Sequence, residues 1–341
     1  LKPHKEESLL RFHPWVFSGA IRSIQLDADY PHAEPQEGEI VQVVDCKGNI
    51  LGVGHYQIGS IAVRMLAFGV SELPKDFWRT RIAEAYVMRE RLGLVSDNNN
   101  SYRLIHGEGD FLPGLIVDIY ADTAVVQAHS IGMHCHREEI AEAIVKVVAQ
   151  VDKVYYKSDD TLPHKAPIQG ERVGYLIGAE KADFNGDFWA KENGLDFRID
   201  WLKGQKTGFF IDQRDNRSLL EHYAKGKEVL NMFCYTGGFS FYAMRGGANL
   251  VHSVDSSAKA IDLTNQNVEL IAGNAIEMNG GASIMSNLGS VMMESEGSIL
   301  LTGSGTSVTA KSNNITLQVL LIPIRFPRTT RRRIAVLEAY G

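Results

Sequence analysis

The stretch VLNMFCYTGGFSF, Val229 to Phe241, reads as an apolar strand (Val229 to Cys234) that turns on Tyr235, Thr236, Gly237 and Gly238 into a helix (Phe239 to Arg245). A second strand, Leu250 to Val254, and a second helix, Ala258 to Leu270, follow directly. Strand and helix alternating in this way build a parallel sheet, because parallel neighbours need a crossover connection. The glycines allow backbone to approach a ligand closely, and the N–H groups at the helix start attract polar or anionic groups. Asp255 lies 18 residues after Gly237, at the end of the second strand, where a carboxylate can accept hydrogen bonds from a ribose.

Because Gly237 and Gly238 are adjacent, and not spaced as GxGxxG, the pattern favours adenosine attached to something other than a second nucleotide. S-adenosyl-L-methionine is the natural candidate. The plain alternative is a tight turn beside an incidental acid. Upstream, KTGFFIDQRDNR (Lys206 to Arg217) places two aromatics before a charged run and a helix with Leu219, Leu220 and Tyr223 on one face. Either Asp212 caps that helix and the charges are a solvated first turn, or Gln213 and Arg217 orient a carboxylate or an RNA phosphate.

Further out, Gly38 to Leu66 carries short β-branched runs (Ile40 to Val44, Ile61 to Leu66) between glycine turns, as in a small β-barrel or twisted sheet. A helical pattern follows at Phe77, Ile82, Ala85, Tyr86, Arg89 and Leu92, which puts a domain boundary near residue 70. Strands Leu115 to Tyr120 and Ala124 to His129, a helix with Ile140, Ile144, Val147 and Val148 on its apolar face, and a strand Val154 to Lys157 form an α+β unit. The connection Ser158 to Tyr175 is rich in turn formers and is expected on the surface. After Leu270 the texture changes to Gly, Ser, Asn, Met and Thr, which reads as short strands faintly similar to β-solenoid repeats, before the basic run Arg325, Arg328, Arg331, Arg332 and Arg333.

The 341 residues, 44% hydrophobic and 22% charged, describe a globular chain of two or three domains and exclude a disordered or fibrous one. No apolar run approaches the roughly 20 residues of a spanning helix, which excludes an integral membrane protein of that kind. A net charge of −6 argues against coating nucleic acid through bulk charge but leaves room for a local basic face. Cys46, Cys135 and Cys234 are far apart without a CxxC spacing, which fits a reducing, cytoplasmic compartment. The first 20 residues are charged throughout, unlike a signal peptide, and the sequence opens on Leu1, as an N-terminally clipped chain would. His134 and His136 flank Cys135 but have no second pair at ligand spacing, so no metal is assigned. Arg11 to Phe17, RFHPWVF, combines cations and aromatics as RNA-stacking segments do, although Trp and Phe in a small sheet are more often core.

The segments HPWVFSGAI, RLIHGEGDFLPGLIVD, KENGLDF, GQKTGFFIDQRDNR and VLNMFCYTGGFS occur in this order. They closely resemble the class I S-adenosylmethionine-dependent cytosine-C5 methyltransferases of large-subunit ribosomal RNA, over residues 1 to about 270. The resemblance implies a multidomain α/β chain. Its parts are an N-terminal PUA β-barrel that grips RNA (1–70), a central α+β domain (71–185), and a Rossmann-like methyltransferase domain (186–270) that is truncated and followed by a β-rich, strand-like tail (271–341). It implies S-adenosyl-L-methionine as cofactor, with Phe210, Gln213 and Arg217 at the methionine end, Asn231, Phe233, Tyr235, Thr236 and Gly237 as the cofactor loop, and Asp255 on the ribose. The implied partner is large-subunit ribosomal RNA, with no membrane, and a homodimer is an assembly it allows.

Members of that family continue with an Asp-Pro-Pro loop and a cysteine whose thiolate attacks the cytosine ring, making the neighbouring carbon nucleophilic toward the methyl group. Residues 271–341 contain no Asp and no Cys, so no catalytic residue is assigned and the tail reads as a foreign or frame-shifted segment. Two functions follow: an enzyme of the rRNA methyltransferase lineage without these two elements, or a non-catalytic RNA-binding module with the Arg-rich end as an electrostatic anchor.

Overall fold

The computed structural model describes residues 1–26, 28–32, 34–163, 170–182 and 188–272, and beyond these the strand segments 277–279, 283–286, 300–302, 307–310 and 333–337. The chain divides into two compact units, residues 1–191 with 201–207, and residues 192–200 with 208–341.

The first unit opens with α1 (Glu7–Leu10) and the strands β1 (Trp15–Phe17), β2 (Ile40–Val44), β3 (Ile50–Tyr56) and β4 (Ile61–Phe68). These pair antiparallel in the order β1-β4-β3-β2. β1 and β2 are thus the sheet's edges among the described residues, and closure into the expected barrel is not among the pairings seen. Gly54 is required where β3 meets β4, since a Cβ there would lie 2.3 Å from the Arg64 carbonyl oxygen.

Then come α2 (Phe77–Arg91), β5 (Ser101–His106), β6 (Leu115–Tyr120), β7 (Thr123–Ala128), α3 (Ile131–Cys135), α4 (Arg137–Val147), β8 (Lys153–Lys157) and β9 (Val173–Ile177). β5 to β9 form one sheet in sequence order, antiparallel except for β7 and β8, which run parallel because α3 and α4 carry the chain back between them. The Ser158-to-Tyr175 connection departs from expectation at both ends: Ser158 and Leu162 are buried, and Val173 to Tyr175 already belong to β9. Its turn-forming composition hid a strand that runs through Gly174. Val53, Leu66 and Ala67 from the N-terminal sheet pack in the same core as Phe77, Trp78 and Ile82 of α2, so packing is continuous across residue 70.

The helical period places Arg89 on the buried face of α2 with Phe77, Trp78, Ile82 and Ala85, whereas Leu92 lies past the helix end and is exposed. A buried guanidinium needs a partner. Arg89 forms a two-pronged pair with Asp110, whose carboxylate also accepts the His106 N–H at 2.6 Å. His55 of β3 is also buried, stacked on Trp78 and His136.

The second unit carries β11 (Leu195–Arg198), which the chain reaches through β10 (Trp189–Glu192). It continues with α5 (Arg214–Ala224), β12 (Glu228–Met232), α6 (Gly238–Arg245), β13 (Leu250–Val254) and α7 (Ala258–Ala272). β12 and β13 pair in parallel, as the alternation requires. Leu220 and Ala224 of α5 and Phe239 and Ala243 of α6 cover one face of these strands at Val229 and Val251. Of the tail strands, β14 (Glu277–Asn279) pairs in parallel with β16 (Leu300–Thr302), and β15 (Ser283–Ser286) with β17 (Ser307–Ala310). β18 (Arg333–Leu337) lies parallel to β12 on the side away from β13. The tail, expected apart from the βα pattern, thus adds a parallel neighbour to β12 at this strand, whose unbroken apolar run Ile334 to Leu337 suits a parallel sheet. Arg325, Arg328, Arg331 and Arg332 lie outside the described residues.

Substituting Arg89→Met should leave Asp110 buried beside an uncharged side chain and lower the unfolding free energy by about 3–5 kcal/mol in urea denaturation. Burial, with His136 and Arg64 adding repulsion, pushes the His55 imidazole from 6.5 down to about 3. The unfolded chain binds a proton near pH 6.5 that the folded chain refuses until about pH 3, so His55 increasingly destabilises the fold as pH falls through that window. Between pH 6.5 and 4 the thermal midpoint should therefore fall more steeply for the unaltered chain than for His55→Phe.

Candidate functional site

The loop between β12 and α6 alternates left-handed residues: Phe233 at φ +59°, Tyr235 at +46° and Gly237 at +81°. Left-handed aromatics are uncommon and persist where surroundings hold them. Here the Tyr235 N–H donates to an Asp255 carboxylate oxygen at 2.9 Å, and the other oxygen accepts the Ser257 N–H at 2.8 Å. The Thr264 hydroxyl donates to the Tyr235 carbonyl at 3.0 Å, and the Asn267 amide to the Thr236 carbonyl at 3.2 Å. The Tyr235 hydroxyl donates to the Gly208 carbonyl at 3.1 Å. At Gly237 a Cβ would stand 2.7 Å from the Phe241 ring and 2.8 Å from Thr264 Cγ2, so both space and φ demand glycine.

Asn231 is fully buried on β12. Its amide donates to Ser240 Oγ at 3.0 Å, which in turn bonds Ser253 Oγ at 2.6 Å, while Asn231 Oδ1 has no partner among the described residues. A buried acceptor left unpaired costs about 1–3 kcal/mol, which a donor on a bound ligand would offset. Thr236 is buried and Phe233 is half-exposed.

Phe210 joins the loop, its ring 5.1 Å from that of Tyr235 and nearly edge-on. Gln213 immediately precedes α5, its amide bonding Asp212 at 3.2 Å and its oxygen accepting from Asn216 at 2.9 Å. Asp212 makes no cap to α5; it sits in a short 3₁₀ turn, Ile211–Gln213. Arg217 is not on a solvated turn. It is buried, its Nε and Nη2 donating to the two oxygens of Glu192 at 2.8 and 2.7 Å, with Nη2 also donating to the Phe210 carbonyl at 3.0 Å. Its guanidinium lies 4.6 Å from the Phe209 ring, and the Tyr242 hydroxyl donates to the same Glu192 at 2.9 Å. Arg217 thus reaches the loop through Phe210.

The structure brings together Phe210, Asn231, Phe233, Tyr235, Thr236, Gly237 and Asp255, and places Arg217 behind them as a support. Sequence reasoning missed Thr264 and Asn267, whose i, i+3 spacing on α7 was a signal only once the loop carbonyls were known to need donors. It also gave no role to Glu192, though KENGLDF contains it. His134 of the His-Cys-His run is buried against the Tyr156 hydroxyl at 2.7 Å, and His136 precedes α4. Among the described residues no cluster of His, Cys, Asp and Glu is arranged to hold a metal, and no helix is long and apolar enough to cross a membrane. Arg217→Met should leave Glu192 buried without its cation and cost about 3–5 kcal/mol of unfolding free energy by chemical denaturation.

Residues 1–68 match the PUA-like domain family, and residues 182–312 match the S-adenosylmethionine-dependent methyltransferase family, so the latter match continues past residue 270. Among similar curated proteins is "Ribosomal RNA large subunit methyltransferase I" of Alteromonas mediterranea, 39% identical over 272 residues, covering 79% of this chain and 65% of the relative. The namesake of Tolumonas auensis is 37% identical, covering 79% and 66%. The chain thus spans just under two thirds of the length of these relatives. A solved Streptococcus mutans protein, described as a candidate S-adenosylmethionine-dependent methyltransferase, superposes with a TM-score of 0.62 at 24% identity, covering 79% of this chain and 66% of that one. A second solved structure, a candidate methyltransferase complexed with SAH, gives 0.63 at 24% identity, covering 79% and 65%. At this identity the two structures speak for the fold alone. The chain therefore joins a PUA-like domain to a domain of the S-adenosylmethionine-dependent methyltransferase family.

Proposed function

We propose that the chain binds S-adenosyl-L-methionine at the Phe233-to-Gly238 loop and belongs to an activity that methylates C5 of cytosine in large-subunit ribosomal RNA. The observation that carries this is the hydrogen bond between the Tyr235 N–H and the Asp255 carboxylate, which sets an acid beside a left-handed, glycine-bearing loop. Each Asp255 oxygen keeps a lone pair for a ribose hydroxyl. Asn231 Oδ1, buried and without a described partner, fits a polar group of the ligand. When bound, the cofactor supplies an electrophilic methyl group. The chain's own residues orient it: Phe210 offers ring surface, backed by the buried Tyr235 ring, and Arg217, through the Phe210 carbonyl, fixes that segment. Ribosomal RNA as the partner and three free thiols support a cytoplasmic location. A homodimer rests on the family resemblance.

A second proposal, favoured by the lack of Asp and Cys in residues 271–341, is that the chain holds RNA and cofactor without transferring the methyl group. Cys234 is fully buried in the loop, and Cys46 and Cys135 belong to the first unit. Titration calorimetry with S-adenosylmethionine or its demethylated product should give heat, and Asp255→Ala should weaken binding about ten- to a hundredfold, the scale of a charged hydrogen bond at 1.5–3 kcal/mol. No heat on folded protein sinks the cofactor site. Labelled methyl transfer to deproteinised large-subunit rRNA, abolished by Gly237→Asp, separates the two proposals: transfer supports the enzyme, and binding without transfer supports the module.

A further inference from the structure

α7 holds the β12–α6 loop through two side chains one helical turn apart. Thr264 and Asn267 lie at i and i+3 on its buried face, and each donates to a loop carbonyl, Thr264 to that of Tyr235 and Asn267 to that of Thr236. The other end of the Asn267 amide is also engaged, its oxygen accepting the Arg198 N–H of β11 at 2.5 Å. One fully buried, neutral amide thus bridges a strand N–H and a loop carbonyl. Two residues beyond Arg198, Asp200 pairs with the Lys259 ammonium in the first turn of α7 at 2.8 Å, so the helix is tied to β11 and its exit at two points. A trans peptide points its N–H opposite to its carbonyl. Fixing the Tyr235 carbonyl on α7 therefore turns the Thr236 N–H away from the helix, and fixing the Thr236 carbonyl aims the Gly237 N–H, which donates to the Cys234 carbonyl at 2.8 Å. Two consecutive peptide planes of a loop with left-handed aromatics are set from α7.

We infer that Asn267 is a positioning residue for the cofactor: it orients the Thr236 carbonyl, and with it the loop, by one hydrogen bond in each direction, which a neutral amide or a protonated carboxyl can make. This role rests on the proposal that the loop binds S-adenosyl-L-methionine, and it adds that the site is built from β11 through α7 and not from the β12–α6 turn by itself. A leucine of similar size would leave the Arg198 N–H and the Thr236 carbonyl buried and unpaired. An ionised carboxylate accepts from Arg198 but meets the Thr236 carbonyl with a second acceptor. Protonated, the same carboxyl regains a donor, and burial pushes its pKa up from the ordinary value of about 3.9. The ionisable side chains of β11 and α7 are Asp196, Arg198, Lys259, Asp262 and Glu269, and those of the loop and its partner acid are Cys234, Tyr235 and Asp255. The ordinary pKa of each of these types lies outside the range of about 5.5 to 7.5, so a carboxyl introduced at position 267 titrates there without a native rival.

Titration calorimetry of the whole chain with the demethylated product of S-adenosylmethionine, at pH 7.5 and pH 5.5, tests this on the unaltered chain, Asn267→Leu, Asn267→Asp and Thr264→Val. Asn267→Leu should weaken binding about tenfold at both pH values. Asn267→Asp should weaken it about as much at pH 7.5 and come within about threefold of the unaltered chain at pH 5.5. A side chain that merely fills space gives no such recovery. Thr264→Val keeps the volume and loses the hydroxyl, and should weaken binding about fivefold, so it decides the matter if the Asn267 variants do not fold. Unchanged affinity in Asn267→Leu overturns the role, as does an Asn267→Asp deficit equal at the two pH values. Unchanged affinity in Thr264→Val overturns it where that is the variant that folds. In each of these cases heat from the unaltered chain leaves the cofactor site standing. No heat from the unaltered chain overturns the site and the positioning role together.

Discussion

The hydrogen bond from the Tyr235 N–H to the Asp255 carboxylate joins the ends of two parallel strands, and the candidate site exists because of it. β12 and β13 run in register from Glu228 opposite Leu250 to Met232 opposite Val254, so the loop leaving one strand and the acid ending the other must emerge side by side. That placement is general to open parallel sheets, where ligands bind beyond the carboxyl ends of the strands. What is particular here is the number of groups that hold the loop's backbone. Thr264 and Asn267 satisfy its carbonyls, Gly237 provides its left-handed turn, and Asp255 accepts its N–H.

Behind the loop, charge is kept in place by burial in pairs. Arg217 and Glu192 are both almost fully buried, and each is fully engaged: the carboxylate by the guanidinium and the Tyr242 hydroxyl, the guanidinium by the carboxylate and the Phe210 carbonyl. Such a pair is weak evidence for stability, since apolar packing can do as well, but it is strongly directional. Its third contact sets the backbone at Phe210, whose ring meets Tyr235. The first unit uses the same device, with Arg89 and Asp110 fixing the His106 amide at the end of β5.

The two family matches fall on surfaces of different character. The methyltransferase-family unit presents a backbone loop, a carboxylate and a buried amide oxygen without a partner among the described residues. The PUA-like sheet carries the rings of His13, Trp15 and Phe17 within 6.4 Å of one another at its β1 edge.

Local pattern alone determined a good part of this protein. The Val229-to-Leu270 alternation placed two strands and two helices within a few residues of their observed ends, because hydrophobic period and glycine turns are local properties. Gly237 and Asp255 were legible together because a single βα unit separates them, whereas Phe210 and Asn231 were placed near them only by the family resemblance. Packing decided the rest. Whether Arg217 met solvent, a ligand or Glu192 depended on a strand 25 residues away, which no spacing rule encodes. The strand at Val173 and the pairing of Arg333–Leu337 with β12 were equally invisible, since a strand gains its identity from the neighbour that receives its hydrogen bonds. The exposure of Phe12 and Phe17 is the same lesson in reverse: composition called for core, and an edge strand with a single buried residue left the rings in solvent.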